Sequence, residues 1–317
     1  MKQNKIYYSF IGSAFFQILN FILPLIIIPF VLKKIGVEKY GIIVIFQATT
    51  NYLGLLIDYS FNIVQVRSIV GVVNDIKTTK KQLVDALAFR LYLSLLACIF
   101  VFILALINPF DGFTHKLYLA FFIWIIGQCI IFSWFLQAIN SLVIYSILSF
   151  ISKLLYAIQI WLFVNNSADY ENICLFWATS NFLLGLGIIF YIQKLYKFTF
   201  SDFNSINFNL LKFKNSLIEG KDVFVSNSLN GISINTNVFI LNLFVGHEIV
   251  GQYSIIEKLG LIVKHFITVF HQVTFPNFCK VIDDKQILKK FIIKNHLPLI
   301  IFTFTIGVGV FFCQIRS

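Results

Sequence analysis

The chain has 317 residues, of which 58% are hydrophobic and only 12% charged, with 38 phenylalanines and a formal net charge of +11. No soluble domain buries so much apolar surface, and repeated apolar runs long enough for a roughly 30 Å hydrocarbon core identify an all-α polytopic membrane protein. The positive charge does not point to nucleic acid, because the lysines and arginines are spread over the segments between apolar runs, where they fix membrane orientation.

Nine spans are read from the sequence, at about 8–31, 41–63, 84–108, 117–137, 142–164, 172–192, 223–245, 249–275 and 297–313. The first run is longer than the apolar core of a signal peptide and contains Pro24 and Pro29, so a cleaved signal is not expected. Five cysteines (Cys98, Cys129, Cys174, Cys279 and Cys313) are scattered, with neither metal-ligand spacing nor a disulfide framework. Placing the N-terminus in the cytoplasm puts Arg67, Lys77, Lys80, Lys81 and the clusters 194–221 and 280–294 inside. Lys33, Lys34, Lys39, Lys116 and Arg316 then lie outside, the first three running against the trend.

The connection after the first span reads Gly36-Val37-Glu38-Lys39-Tyr40-Gly41, and the pattern returns 210 residues later as Gly246-His247-Glu248-Ile249-Val250-Gly251. Each copy lies between two apolar runs, and similar flanks precede them, Phe30-Val31-Leu32 and Phe239-Ile240-Leu241. Glycine suits a tight turn between antiparallel helices, which needs positive φ and close backbone approach. The pattern predicts an internal repeat: a six-helix lobe over 1–193, a cytoplasmic amphipathic linker over 194–222, and a partial second lobe of about three spans over 223–317. In the linker, Phe203, Ile206, Phe208, Leu211 and Phe213 recur among polar residues, which suits a helix on the membrane surface; an ordinary polar loop fits equally well. Two complete units would carry twelve spans, so the chain is expected to stop half-way through its second unit and to be poorly active alone.

Polar residues are costly in hydrocarbon, so a polar row on one helix face marks a face turned from lipid. Helical spacing lines up Ser9, Ser13, Gln17, Asn20 and Pro24 on span one, and Gln47, Asn51, Gly54 and Asp58 on span two. Span seven carries Asp222, Ser226, Asn230, Ser233 and Asn237; span eight carries Ser254, Lys258, His265, Thr268 and Gln272, with Glu257 and Lys264 at the edge. Arg90 and Lys153 stand alone on spans three and five. Taken singly, each Ser or Asn fits interhelical hydrogen bonding; as four rows in repeat-equivalent helices they predict a polar cleft between two lobes. Lys258 and His265 make that cleft basic, which suits an anionic, phosphate-bearing substrate. Enzyme chemistry has little support: there is no phosphate loop, His-Glu-x-x-His or nucleophile elbow, and no cofactor is implied.

Several stretches carry a family resemblance: Pro24-Leu25-Ile26-Ile27-Ile28-Pro29-Phe30 leading into the first glycine turn, Asp58-Tyr59-Ser60-Phe61-Asn62 followed by Arg67, and Trp134-Phe135-Leu136-Gln137. Glu219-Gly220-Lys221-Asp222 and Gly251-Gln252-Tyr253-Ser254-Ile255-Ile256-Glu257-Lys258, then Pro276, complete the set. In order and spacing the chain resembles the O-antigen flippases of the polysaccharide biosynthesis transporter family. That resemblance implies two six-helix lobes opening alternately to either face of the bacterial inner membrane, and a substrate of undecaprenyl-pyrophosphate-linked sugar units moved to the outer leaflet. It implies that Lys258, Lys264, Arg90 and Lys153 stabilise pyrophosphate or acidic sugars, and that Asp58, Glu257 and His265 serve coupling to protons or sodium. Implied partners are the lipid-linked oligosaccharide, membrane lipids, a polysaccharide polymerase and a chain-length regulator. Two other readings stay open: a cation-coupled small-molecule exporter of the same fold, and an O-antigen polymerase or ligase, against which the short outer segments argue.

Overall fold

In the computed structural model the described residues are 2–72, 75–139, 141–197 and 210–258, with 260 and 293; side chains are described for most of these, but not for 2–14, 17, 18, 21, 210–212, 230, 233 and 234. Every regular element among them is helical. The chain divides into two compact units, Met1–Ile255 and Ile256–Ser317. Of the second, little beyond the half-buried helical residues Glu257 and Lys258 is described. Most of the rest of span eight, span nine, Lys264 and His265 lie outside the described residues, as does the middle of the linker, 198–209.

The first unit is built around α1 (Lys2–Asp58), broken once, at Gly36, where φ is 81° and ψ 167°. An L-residue adopts that backbone only under strain, so the first glycine of the motif is where one expected span ends and the next begins. The second half of α1 is the centre of the unit: Ile42, Ile43, Ile45, Phe46 and Ile57 are all but inaccessible, and Phe46 stacks on Phe121 at 4.3 Å. Around it lie α2 (Val64–Val70), α3 (Ile76–Ile107), α4 (His115–Cys129), α5 (Ser133–Ala138), α6 (Leu142–Phe163), α7 (Tyr170–Tyr196) and α8 (Leu210–Val245).

Five stretches among the described residues are long and apolar enough to cross a membrane: Ile22–Asp58, Ile76–Ile107, His115–Ala138, Leu142–Phe163 and Ser167–Tyr196. Their burial differs as a membrane bundle requires. The α1 stretch is largely enclosed by protein, whereas α3 and α6 turn Leu95, Phe102, Leu106, Ile158, Trp161 and Phe163 outward, the faces that hydrocarbon covers. Where helices must come close, glycine permits it. A Cβ on Gly127 of α4 would strike the backbone of Phe182 on α7, and one on Gly185 of α7 would strike Ile130 and the carbonyl of Gly127.

Several expected boundaries move. Span two stops at Asp58 rather than 63, because Tyr59 takes a left-handed conformation (φ 40°) that no helix continues through. The third begins two turns early, at Ile76, where Asp75 caps the helix by accepting from the amides of Lys77 and Thr78; the Thr78 hydroxyl, followed by those amides, holds the Asp75 carboxyl below the usual carboxylate range. The fourth is interrupted at 130–132, splitting it into α4 and α5. The linker residues 210–222 are the opening turns of α8, with Phe213 against Phe89 and Tyr92 of α3 at 5.1 and 4.8 Å. The seventh, expected at 223–245, lies within α8, whose last turns, Asn235–Val245, form an apolar stretch.

Candidate functional site

The two glycine turns meet. Gly246 adopts φ 82°, matching Gly36 at 81°, and residues 247–255 continue as helix after it, as residues 37–58 do after Gly36. A Cβ on Gly41 would overlap the backbone carbonyl of His247, while one on Gly251 would crowd the carbonyl and a γ-carbon of Val37. With the 210-residue offset, Gly41 corresponds to Gly251 and Val37 to His247, so the two contacts are the same contact made twice. This reciprocity is what a pseudo-two-fold axis between repeated units produces. Two of the three lysines at the first glycine turn lie over aromatic rings: Lys34 over Phe30 at 5.6 Å, Lys39 over Tyr170 at 5.2 Å.

From this junction α8 runs along the second half of α1, joined by polar pairs. Asn51 Nδ2 donates to Asn235 Oδ1 at 3.0 Å, the Tyr52 and Thr236 hydroxyls lie 2.8 Å apart, Asn227 Nδ2 donates to Asn62 Oδ1 at 3.4 Å, and the Tyr59 hydroxyl donates to the Leu217 carbonyl at 2.9 Å. Gly231 lets Leu55 approach, since a Cβ there would strike it. The α8 face that meets α1 is therefore 227, 231 and 235, spaced four apart. It is offset by one residue from part of the row read in the sequence. Of that row, Asp222 is exposed and Asn237 donates to the Tyr253 hydroxyl at 3.1 Å; the side chain of Asn230 is outside the description, as is that of Gln17. Gln47 is half-buried one turn before Asn51.

Asp58 ends α1 in a three-helix clasp. Arg90 of α3 donates from Nη2 to Asp58 Oδ1 at 2.9 Å and to the Gln128 backbone carbonyl, and Gln128 Nε2 donates to Asp58 Oδ2 at 2.8 Å. The pair is asymmetric: the Arg90 side chain is 0% exposed, that of Asp58 50%. The guanidinium lies between the rings of Phe61 and Phe132, at 5.4 and 5.8 Å. Sealed and ion-paired, Arg90 positions Asp58 in this arrangement.

Lys153 has a different task. Its Nζ donates to the Asn20 carbonyl at 3.0 Å. Four residues on from Asn20 is Pro24, which has no N–H to offer that carbonyl. In a membrane an unpaired carbonyl is costly, so the lysine of α6 supplies the hydrogen bond the proline withholds. The Asn20 side chain completes the cluster, donating to the Phe16 and Ser146 carbonyls and accepting from the Ser149 hydroxyl.

Beside Asp58 lies a cavity of about 370 Å³, lined by Leu55, Asp58, Tyr59, Phe61, Asn62, Ser133, Trp134, Asn227 and Gly231. Among the site residues read from the sequence whose side chains are described, Asp58 alone reaches it; Asn62 and Trp134 featured only in the family resemblance, and Ser133 and Asn227 were missed. Among the described residues no group of three or more His, Cys, Asp or Glu is placed to hold a metal.

Comparison with known proteins bears on this architecture. The chain is 23% identical over 301 residues to the "Putative O-antigen transporter" of Escherichia coli (strain K12), spanning 94% of this chain and 69% of that protein. It is 22% identical over 286 residues to the "Putative O-antigen transporter" of Shigella dysenteriae, spanning 88% and 68%. No solved structure matches. The family model described as "Polysaccharide biosynthesis protein" matches residues 8–282, most of the chain, and the chain belongs to that polysaccharide biosynthesis family.

Proposed function

We propose that this multi-pass membrane protein is a flippase that carries lipid-linked polysaccharide repeat units from the cytoplasmic to the outer leaflet by alternating access. The observation that carries the reading is the reciprocal packing of the two glycine turns, which supports a pair of repeated units hinged across the passage. Family membership supports a role in polysaccharide export, and the two similar transporters suggest O-antigen or a related surface polymer as the cargo. With the N-terminus in the cytoplasm, as the lysine and arginine distribution favours, the turns lie on the outer side, and this arrangement is closed outward. The polar pairs between α1 and α8 then line the route that the sugar head group takes while the lipid tail stays in the bilayer. No step in this passage requires a bond to be made or broken, in keeping with a transporter.

Lys258, Lys264, His265 and Glu257 are assigned to the pyrophosphate and to coupling by proton or sodium; Arg90 and Lys153 contribute by holding Asp58 and the first half of α1 in place. Deleting the gene in its own host is expected to strip polysaccharide from the cell surface and to leave lipid-linked units on the cytoplasmic leaflet, with re-expression reversing both. Unchanged surface polymer and no accumulation of lipid-linked units would overturn the reading.

A further inference from the structure

Resting on the transport reading above, we infer that the cavity beside Asp58 is a subsite for one uncharged sugar ring of the cargo, separate from wherever the pyrophosphate binds. Its chemistry is that of sugar recognition. Asp58 and the carboxamides of Asn62 and Asn227, with the Ser133 hydroxyl, offer both acceptors and donors, as sugar hydroxyls require. Tyr59 and Trp134 line the apolar side of the cavity, and although they are only 8% and 3% exposed, with Tyr59 stacked on Phe224 at 4.4 Å, the surface they leave can border the C–H face of a pyranose. The volume, about 370 Å³, lies at the low end of the roughly 300–1,000 Å³ of small-molecule sites, which suits one ring with some water and not an oligosaccharide.

The charges decide against the anionic part of the cargo. Among the described lining residues none is a cation, and one is a carboxylate. The guanidinium behind that carboxylate is inaccessible and directs its Nη2 to Asp58 and to Gln128. A pyrophosphate entering here would meet a carboxylate without gaining a cation. A bare metal cation is disfavoured too, because Arg90 already neutralises Asp58. A hydroxyl-rich neutral ring has neither difficulty. The Asn62–Asn227 hydrogen bond, long at 3.4 Å, joins the α1–α2 connection to α8, so a ring that took over these amides would hold the two together.

The test uses the protein in lipid nanodiscs with Trp124, Trp161 and Trp177 replaced by Phe, leaving Trp134 as its single indole. Glucose or N-acetylglucosamine is expected to change Trp134 emission saturably in the millimolar range; the sugar 1-phosphate should bind no more tightly than the parent sugar, and pyrophosphate or sodium alone should do nothing. Asn227→Leu and Ser133→Val, each checked for an unchanged thermal transition, should weaken sugar binding at least tenfold. No saturable sugar response, tighter binding of pyrophosphate or sodium, or unaltered affinity in both variants overturns the subsite. The gene deletion separates this from the transport reading: sugar binding without accumulation of lipid-linked units leaves the subsite standing and removes the cargo, whereas accumulation without sugar binding does the reverse.

Discussion

Gly41→Ala is expected to cut surface display of polysaccharide by an order of magnitude or more while leaving the protein abundant in the membrane. The added methyl would overlap the main-chain carbonyl of His247, and a backbone atom, unlike a flexible side chain, has no rotamer to retreat into. Relief comes only by separating the two turns. Overpacking of this kind costs roughly 1–3 kcal/mol, which moves a two-state equilibrium about 5- to 150-fold. Because the clash exists only where the turns touch, the substitution penalises the closed arrangement and spares the open one. Gly251→Ala should act in the same direction, since its methyl would meet Val37. Labelling of an Asn235→Cys variant by a membrane-impermeant maleimide from outside should rise in both backgrounds. Normal display and unaltered labelling would mean that the turns are not a closure.

The second large effect concerns the Asp58–Arg90 pair and lies in its asymmetry. Breaking a buried ion pair costs about 3–5 kcal/mol when the partner left behind is fully enclosed. Removing Asp58 strands a guanidinium that is 0% exposed, whereas removing Arg90 leaves a carboxylate whose side chain is 50% exposed to the cavity. Asp58→Ala should therefore destabilise the protein more than Arg90→Met, and the double variant should be more stable than Asp58→Ala alone. Thermal unfolding in detergent, with membrane abundance as a second readout, checks the order. Equal losses, or a double variant worse than either single one, would show that the clasp does not work as described.

The two glycine turns were legible because glycine at a positive-φ turn is a backbone demand that leaves a readable mark: Gly36 and Gly246 carry nearly equal φ. That the turns touch was not legible, since a pattern of spacing holds no information about which surfaces meet. Long apolar helices were equally plain, but their limits depended on local conformations such as the left-handed Tyr59, which composition does not signal. Lone charges were the hardest. Arg90 and Lys153 read as candidates for an anionic cargo, yet their geometry is set by partners distant in the chain: Asp58 for one, a carbonyl freed by Pro24 for the other. The proline did leave a clue, because any helical carbonyl four residues before it needs a donor from elsewhere. The cavity was largely missed for a related reason: its lining comes from three separate segments, and Asn227 lies one position off the polar row that periodicity picked out on α8.

Alternating access along this route requires α1 and α8 to part during transport. Asn51 and Asn235 touch across that boundary, so both can be replaced by cysteine in a chain whose five native cysteines are alanine and bridged by a short bis-methanethiosulfonate. The bridge should stop surface display and trap lipid-linked units on the cytoplasmic leaflet, a reductant should restore export, and either single cysteine should leave it unaffected. A fully bridged protein that continues to display polysaccharide would contradict alternating access across this interface.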